Sequence, residues 1–285
     1  VFVTGRPVTG TGLALRRVAR RSEDTDSPLA AHPALRPYLA DLAAARGLAL
    51  REEVLGTGQA YAELAATLVE AVTSPEEPVD LLVLAYGVPD VQPGRNTALR
   101  LAEHCPGRPL AFAVCDQGPA AAFTALRVAA EFAATGACAR AVLVVAEQAA
   151  LPYPLATPAP MPDRHAAVAL LLETGPAPVD VRSHPALPPE AVGAVLAAEV
   201  AELVGERDGV RLVLGPGVDV GPETGVGPDV LRAAAGQPYT GTWARLAEGE
   251  PGAFLVVADY DPVLGYLCVA GFEKSPRPVA HAAVG

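Results

Sequence analysis

The chain is nearly without lysine: Lys274 is the only one in 285 residues. Lysine and arginine together number 21 against 32 aspartates and glutamates, a net charge of −11. So acidic a chain is repelled by phosphate backbones, which excludes a general role on nucleic acid. Cysteine is confined to Cys105, Cys115, Cys138 and Cys268, with no CxxC step and no histidine at metal-ligand spacing. The usual zinc frameworks are thereby excluded, nothing demands a disulfide, and reduced thiols in a cytoplasmic protein are expected. No apolar run approaches the ~20 residues that cross a bilayer, and no leader is visible at the start. Two further absences matter below: no asparagine follows Asn96, and residues 206–280 hold no histidine.

What is abundant is apolar. Hydrophobic residues make up 51% of the chain and charged ones 19%, enough for a large core. Residues 1–5 (VFVTG) read as a short strand. The arginines Arg16, Arg17, Arg20 and Arg21 read as a solvated helix face, or as a dock for an acidic carrier or a phosphate-bearing arm. Apolar spacing predicts helices over 34–47 and 58–73, and a further helix over 96–104. DLLVLAYG at 80–87 reads as a strand buried on both faces. In the centre come strand 110–115 (LAFAVC), a nearly uncharged helix over 120–136 closed by Gly136, and strands 139–148 and 165–175. A helix without a polar face belongs between two layers. Residues 149–163 read as a Pro-rich loop and 174–189 as a connector. The remainder predicts helix 189–205, strand 210–215, a Gly-rich loop to 228, a short helix from Pro228, and a hairpin of 253–261 with 265–273. GPGVDVGPETGVG is not a dinucleotide fingerprint, because its glycines lack that spacing between strand and helix.

The segments DLLVLAYGVPDVQPGRNTALRLAEH, LAFAVCDQGPAAAFTALRVAAEFAATGACARAVLVVAEQ and MPDRHAAVALLLETG resemble the first half of a β-ketoacyl-ACP synthase III, over roughly residues 80–175. PYTGTWARLAEGEPGAFLVVADYDPVLGYLCVAGFE resembles the end of that family more loosely. The resemblance implies a thiolase-like five-layered αβαβα fold of two pseudo-duplicated halves, 1–177 and 178–285. It also implies dimers, no cofactor and no metal. The family carries a Cys-His-Asn triad, with the cysteine at the start of the central helix, where the helix dipole favours a thiolate.

This sequence departs from the triad at each point. Gln117-Gly118-Pro119-Ala120 stands where the family has its cysteine step, so Pro119 takes the nucleophile's place. Proline suits a first helical turn, where no N–H is needed. The place of the histidine reads Gly215-Pro216-Gly217, and that of the asparagine falls near Pro238 and Tyr239. Cys115 is the outside candidate for a nucleophile, but the neighbouring Asp116 is expected to raise its pKa. His165 is expected to be a packed or capping residue, and Asp163 a turn residue. His104, His184 and His281 carry no motif and read as loop or terminal residues.

Two functions follow as expectations. In the first, the chain is a non-catalytic subunit paired with an active ketosynthase, or a homodimer, shaping an acyl pocket as a chain length factor does. Its interface would then use Gln92 and the strand bearing Phe112 and Val114. An acyl carrier protein or acyl-CoA is the expected partner molecule. In the second, the chain transfers acyl groups without a covalent intermediate, using Asp116, Gln117, Tyr239 and Thr240.

Overall fold

The computed structural model describes residues 12–92, 94–154, 159–218, 229–248 and 254–275. The strand expected over 1–5 and His281 lie outside them. The first half runs β1 (Gly12–Glu23), α1 (Leu35–Ala44), α2 (Tyr61–Val72), β2 (Leu81–Tyr86), α3 (Thr97–Ala102), β3 (Leu110–Val114), α4 (Ala120–Ala134), β4 (Arg140–Glu147) and β5 (His165–Gly175). The second runs β6 (Asp180–His184), α5 (Pro189–Val204), β7 (Val210–Leu214), β8 (Val230–Arg232), α6 (Gly241–Ala244), β9 (Phe254–Asp261) and β10 (Tyr266–Lys274).

The strands repeat one plan. The first five lie in the order β3-β2-β4-β5-β1 and the second five as β8-β7-β9-β10-β6. In each set the second strand runs parallel to the third and fourth, and the fifth runs antiparallel to both the fourth and the first. Two residues of β1, Ala14 and Leu15, pair with Glu273 and Lys274 of β10 and join the two sets.

Alternation along the strands sorts the side chains into layers, because successive residues face opposite sides of a sheet. Leu81, Val83 and Ala85 of β2 share one core with Leu255 and Val257 of β9 and with the buried face of α4. Leu82 and Leu84 turn the other way, onto α2 and α3. Val256 and Ala258 of β9 turn onto α5. The result is helix, sheet, helix, sheet, helix, as the resemblance implies. The central helix fits between two sheets because its buried face is mostly alanine: Ala120, Ala121, Ala122, Ala125, Ala129 and Ala133, with Phe123 and Leu126. Phe123 meets Trp243 of α6 edge-on at 5.0 Å between ring centres, which pins the two inner helices together. Gly136, at φ 74°, closes α4; the Gly136 and Ala137 N–H groups bond Ala133 O and Phe132 O.

Three expectations are corrected. The arginine run is not a helix face; it lies on β1, paired along its length with β5. The register shifts between Leu15 and Arg17, so Arg16 is the extra residue of a bulge. Its guanidinium is buried against Glu77 Oε1 (2.7 Å) and Glu173 Oε2 (3.0 Å), while Arg17 donates to Val72 O. β-branched and aromatic content is low in this segment, which hid the strand. The presumed connector 174–189 contains β6, and with it His184, which sits in a strand rather than a loop. The residues after Pro228 form β8, not a helix: pairing with β7 overrides an alanine-rich sequence.

Arg16 yields a test. Arg16→Ala withdraws the cation shared by two carboxylates and is expected to lower unfolding stability by about 3 kcal/mol. Arg16→Met keeps the stem's packing and is expected to lose less. Urea titration of both variants checks this: the difference between them reports the stem's packing, and a loss near zero in Arg16→Met would contradict the charge account.

Candidate functional site

The turn from β3 into α4 is sharp. Asp116 and Gly118 both adopt left-handed backbone, at φ 61° and 54°. Pro119 follows at φ −59° and ψ −24°, buried, immediately before the first residue of α4. The Ala120 and Ala121 N–H groups bond Gln117 O and Gly118 O, so the helix starts properly without a donor at residue 119. This is the helix start expected from the sequence, with an imino acid at residue 119.

Two of the three places singled out in the sequence, residues 117–120 and 215–217, meet at one strand end, Asp259-Tyr260-Asp261 of β9. A side chain at Gly118 would strike Asp261 Oδ2 at 2.4 Å. One at Gly215 would strike the Asp259 carboxylate at 2.0 Å, and one at Gly217 would strike Tyr260 O at 2.1 Å. The ring of Tyr239 fills the space against Gly87, where a Cβ would lie 2.3 Å away. At each of these glycines the neighbouring group leaves no space for a side chain. Asp259 and Asp261 continue the inner face of β9 begun by Leu255 and Val257.

The buried polar groups here are acids. Asp259 accepts from the Thr242 hydroxyl (2.7 Å) and the Tyr260 N–H (2.9 Å). Burial pushes its pKa up to about 7, against the pull of those two donors. Glu147, at the end of β4, is fully buried. It accepts from the Tyr239 N–H at 2.9 Å, and from the N–H and hydroxyl of Thr240. Burial pushes its pKa up to about 7 as well. Asp261 accepts from the Val263 and Leu264 N–H groups and shapes the β9–β10 turn. Sequence reasoning missed Glu147, Asp259 and Asp261; the signal was an acid closing an otherwise apolar strand, in VLVVAE and AFLVVADYD.

The remaining candidates are placed as follows. Cys115 is half-buried and donates to Asp116 Oδ2 at 3.3 Å. Its thiol is pushed up by burial and by Asp116, with Tyr86 as an opposing hydrogen-bond partner. The direction expected from Asp116 holds. Gln117 accepts from Thr124 (2.6 Å) and the Tyr239 hydroxyl donates to Pro160 O (2.9 Å), so both are engaged inward. His165 is packed: it is buried, Nδ1 accepts from the Ala149 N–H, and burial lowers its pKa. Asp163 holds its turn through an N–H bond to Gly236 O. All four cysteines are free, and the described residues hold no cluster suited to a metal.

β3 is an edge strand, and Leu110 and Leu99 beside it are each more than half exposed. A groove of about 460 Å³ on this edge brings Gln92 and Phe112 together with Tyr86, Arg95 and Thr97. Gln92 is itself buried, with its carbonyl accepting from Arg100 at 3.2 Å. Val114 is half-buried on the same strand.

No family model matches the chain, and no curated protein does. Solved structures do. The acyltransferase ChlB3 superposes with a TM-score of 0.57 at 17% identity, over 93% of this chain and 98% of its own. The tetronic acid condensing enzyme AbyA1 gives 0.56 at 17%, over 92% and 100%. The 3-oxoacyl-[acyl-carrier-protein] synthase III of Aquifex aeolicus gives 0.57 at 14%, over 92% and 100%. The fold is the thiolase fold. At these identities the likeness concerns the fold, and the site must be read from this chain's own residues. No helix among the described residues is long and apolar enough to cross a membrane.

The thiolase fold here carries its buried acids at a thermodynamic cost that pH reveals. Unfolded, Asp259 and Glu147 release their protons near 3.8 and 4.5; folded, they hold them to about 7. Between those values the native state binds more protons, so both groups lower stability as pH rises. Relative to the wild type, Glu147→Gln and Asp259→Asn are each expected to remove up to about 1.4 kcal/mol of that decline per pH unit. Urea unfolding from pH 4 to 8 measures it; slopes unchanged in both variants would contradict the assignment.

Proposed function

We propose that this chain is a non-condensing, ketosynthase III-like subunit that pairs with an active ketosynthase and shapes its acyl pocket, in the manner of a chain length factor. One observation supports the reading: carboxylates of β9, Asp261 and Asp259, lie directly against Gly118 before α4 and Gly215 after β7. Condensation passes through a thiolate and an enolate, both anionic. Carboxylates beside them raise the thiol pKa and oppose the developing negative charge, the reverse of what such a site needs.

In this reading the fold is kept because proline is comfortable at the first turn of α4 and because Glu147 holds the Tyr239–Thr240 turn. What remains exposed is the β3 edge. An edge strand with open N–H and C=O groups, flanked by exposed leucines, invites pairing with another chain. A partner of the same fold would supply a matching strand. Acyl transfer without a covalent intermediate is the less favoured reading, since Gln117, Tyr239 and Thr240 are engaged by Thr124, Pro160 and Glu147. The name of ChlB3 gives that alternative its support.

Co-expression with a ketosynthase III carrying an intact Cys-His-Asn triad tests the proposal. The expected result is a 1:1 complex by native mass, disrupted by Phe112→Glu, whereas the chain alone turns over no acyl-CoA. Turnover by the isolated chain would overturn the reading. So would a homodimer that excludes every such partner.

A further inference from the structure

The outer face of α6 and the turn that follows it supplies a second site. Thr242, Trp243 and Leu246 point inward and are buried. Gly241, Ala244, Arg245 and Glu248, at helical spacing, face the other way and line a cavity of about 280 Å³. Arg20 of β1, Asp163 and Arg164 before β5, and residues 234–237 complete it. Three arginines that are remote in sequence thus converge on one cavity, in a chain whose net charge is −11.

Their partners leave them available. Glu248 stands between two of them: Arg20 Nη1 reaches its Oε1 and Arg245 Nη1 its Oε2, each at 2.6 Å. Arg20 also donates to Ala244 O at 3.4 Å. One carboxylate therefore braces two guanidinium groups and neutralises one of them. Arg164 is half exposed, and its one ion pair among the described residues is a 3.9 Å contact from Nε to Asp24 Oδ1. Among the residues that line the cavity, three arginines stand against the carboxylates of Asp163 and Glu248; Asp24, outside the lining, reaches Arg164 only at 3.9 Å.

We propose that this cavity binds a small phosphomonoester that also carries a hydroxyl donor. Guanidinium groups approaching from three elements suit a tetrahedral anion with three terminal oxygens better than a planar carboxylate, which one fork satisfies. The cavity is larger than a bare phosphate. The Asp163 carboxylate lies beside Gly236, where a Cβ would meet its Oδ2 at 2.2 Å. It would repel an anion placed against it, so the group facing Asp163 is a donor. The site is independent of the partner reading, since it uses none of the residues at the start of α4 or on the β3 edge.

Thermal unfolding at matched ionic strength tests this, with sodium phosphate, ribose 5-phosphate and sodium chloride as probes. Phosphate is expected to raise the midpoint above chloride, and ribose 5-phosphate to do so at lower concentration. Arg164→Gln and Arg245→Gln are each expected to weaken both probes by about tenfold or more. Arg36→Gln, an exposed arginine paired with Glu52 on another face, is the control. Asp163→Asn is expected to tighten phosphate and narrow the preference for the sugar phosphate. Because Arg164 is half exposed, its replacement leaves the fold intact. No midpoint shift beyond chloride, or a shift of unchanged size in both arginine variants, would overturn the site. An unchanged preference in Asp163→Asn would overturn the hydroxyl assignment.

Discussion

The close approach of β9 to three glycines governs this molecule. Gly118, Gly215 and Gly217 have no side chain because Asp261, Asp259 and the Tyr260 carbonyl already occupy that space. The contact is steric first. It brings the turn before α4 and the first residues after β7 onto a single strand end. It is electrostatic second, because two of the occupants are carboxylates. Burial of one of them is sustained only by donors from Thr242 and the backbone. A site built this way tolerates neutral, well-bonded groups and opposes anions.

The same economy holds on the other side of α4. Glu147 has no partner of opposite charge among the described residues; it accepts from two N–H groups and a hydroxyl of the Tyr239–Thr240 turn. That makes it a structural tie between the two halves, joining the end of β4 to the entry of α6. Together with the edge-on contact of Phe123 and Trp243, it explains how α6, only four residues long, still holds its place opposite the fifteen-residue α4.

Much of the fold was legible in the sequence, and the reasons are local. The buried strands β2, β4, β5, β9 and β10 are continuous apolar runs bounded by turn residues. The central helix has an alanine face too small to belong anywhere but between layers. Where the reading failed, long-range pairing decided the outcome. β1 is rich in arginine because one arginine is a bulge buried against two glutamates and others reach carboxylates or a backbone carbonyl, and no local pattern reports that. β8 is three residues whose strand state depends on β7. Of the site, Pro119 and the rise of the Cys115 pKa could be reasoned from neighbours in sequence. The convergence of residues 118, 215 and 217 on β9 could not, because it depends on how the two halves pack.

The proposed function turns on the start of α4 lying against the Asp261 carboxylate, a setting that disfavours a thiolate. Placing a thiol there tests it most directly. In Pro119→Cys, with Cys115→Ser to remove the nearby half-buried thiol, iodoacetamide labelling is followed by mass across pH 6 to 10. The account predicts slow labelling of residue 119 that rises only above the ordinary cysteine pKa of about 8.5. Rapid labelling of residue 119 near neutral pH would contradict it.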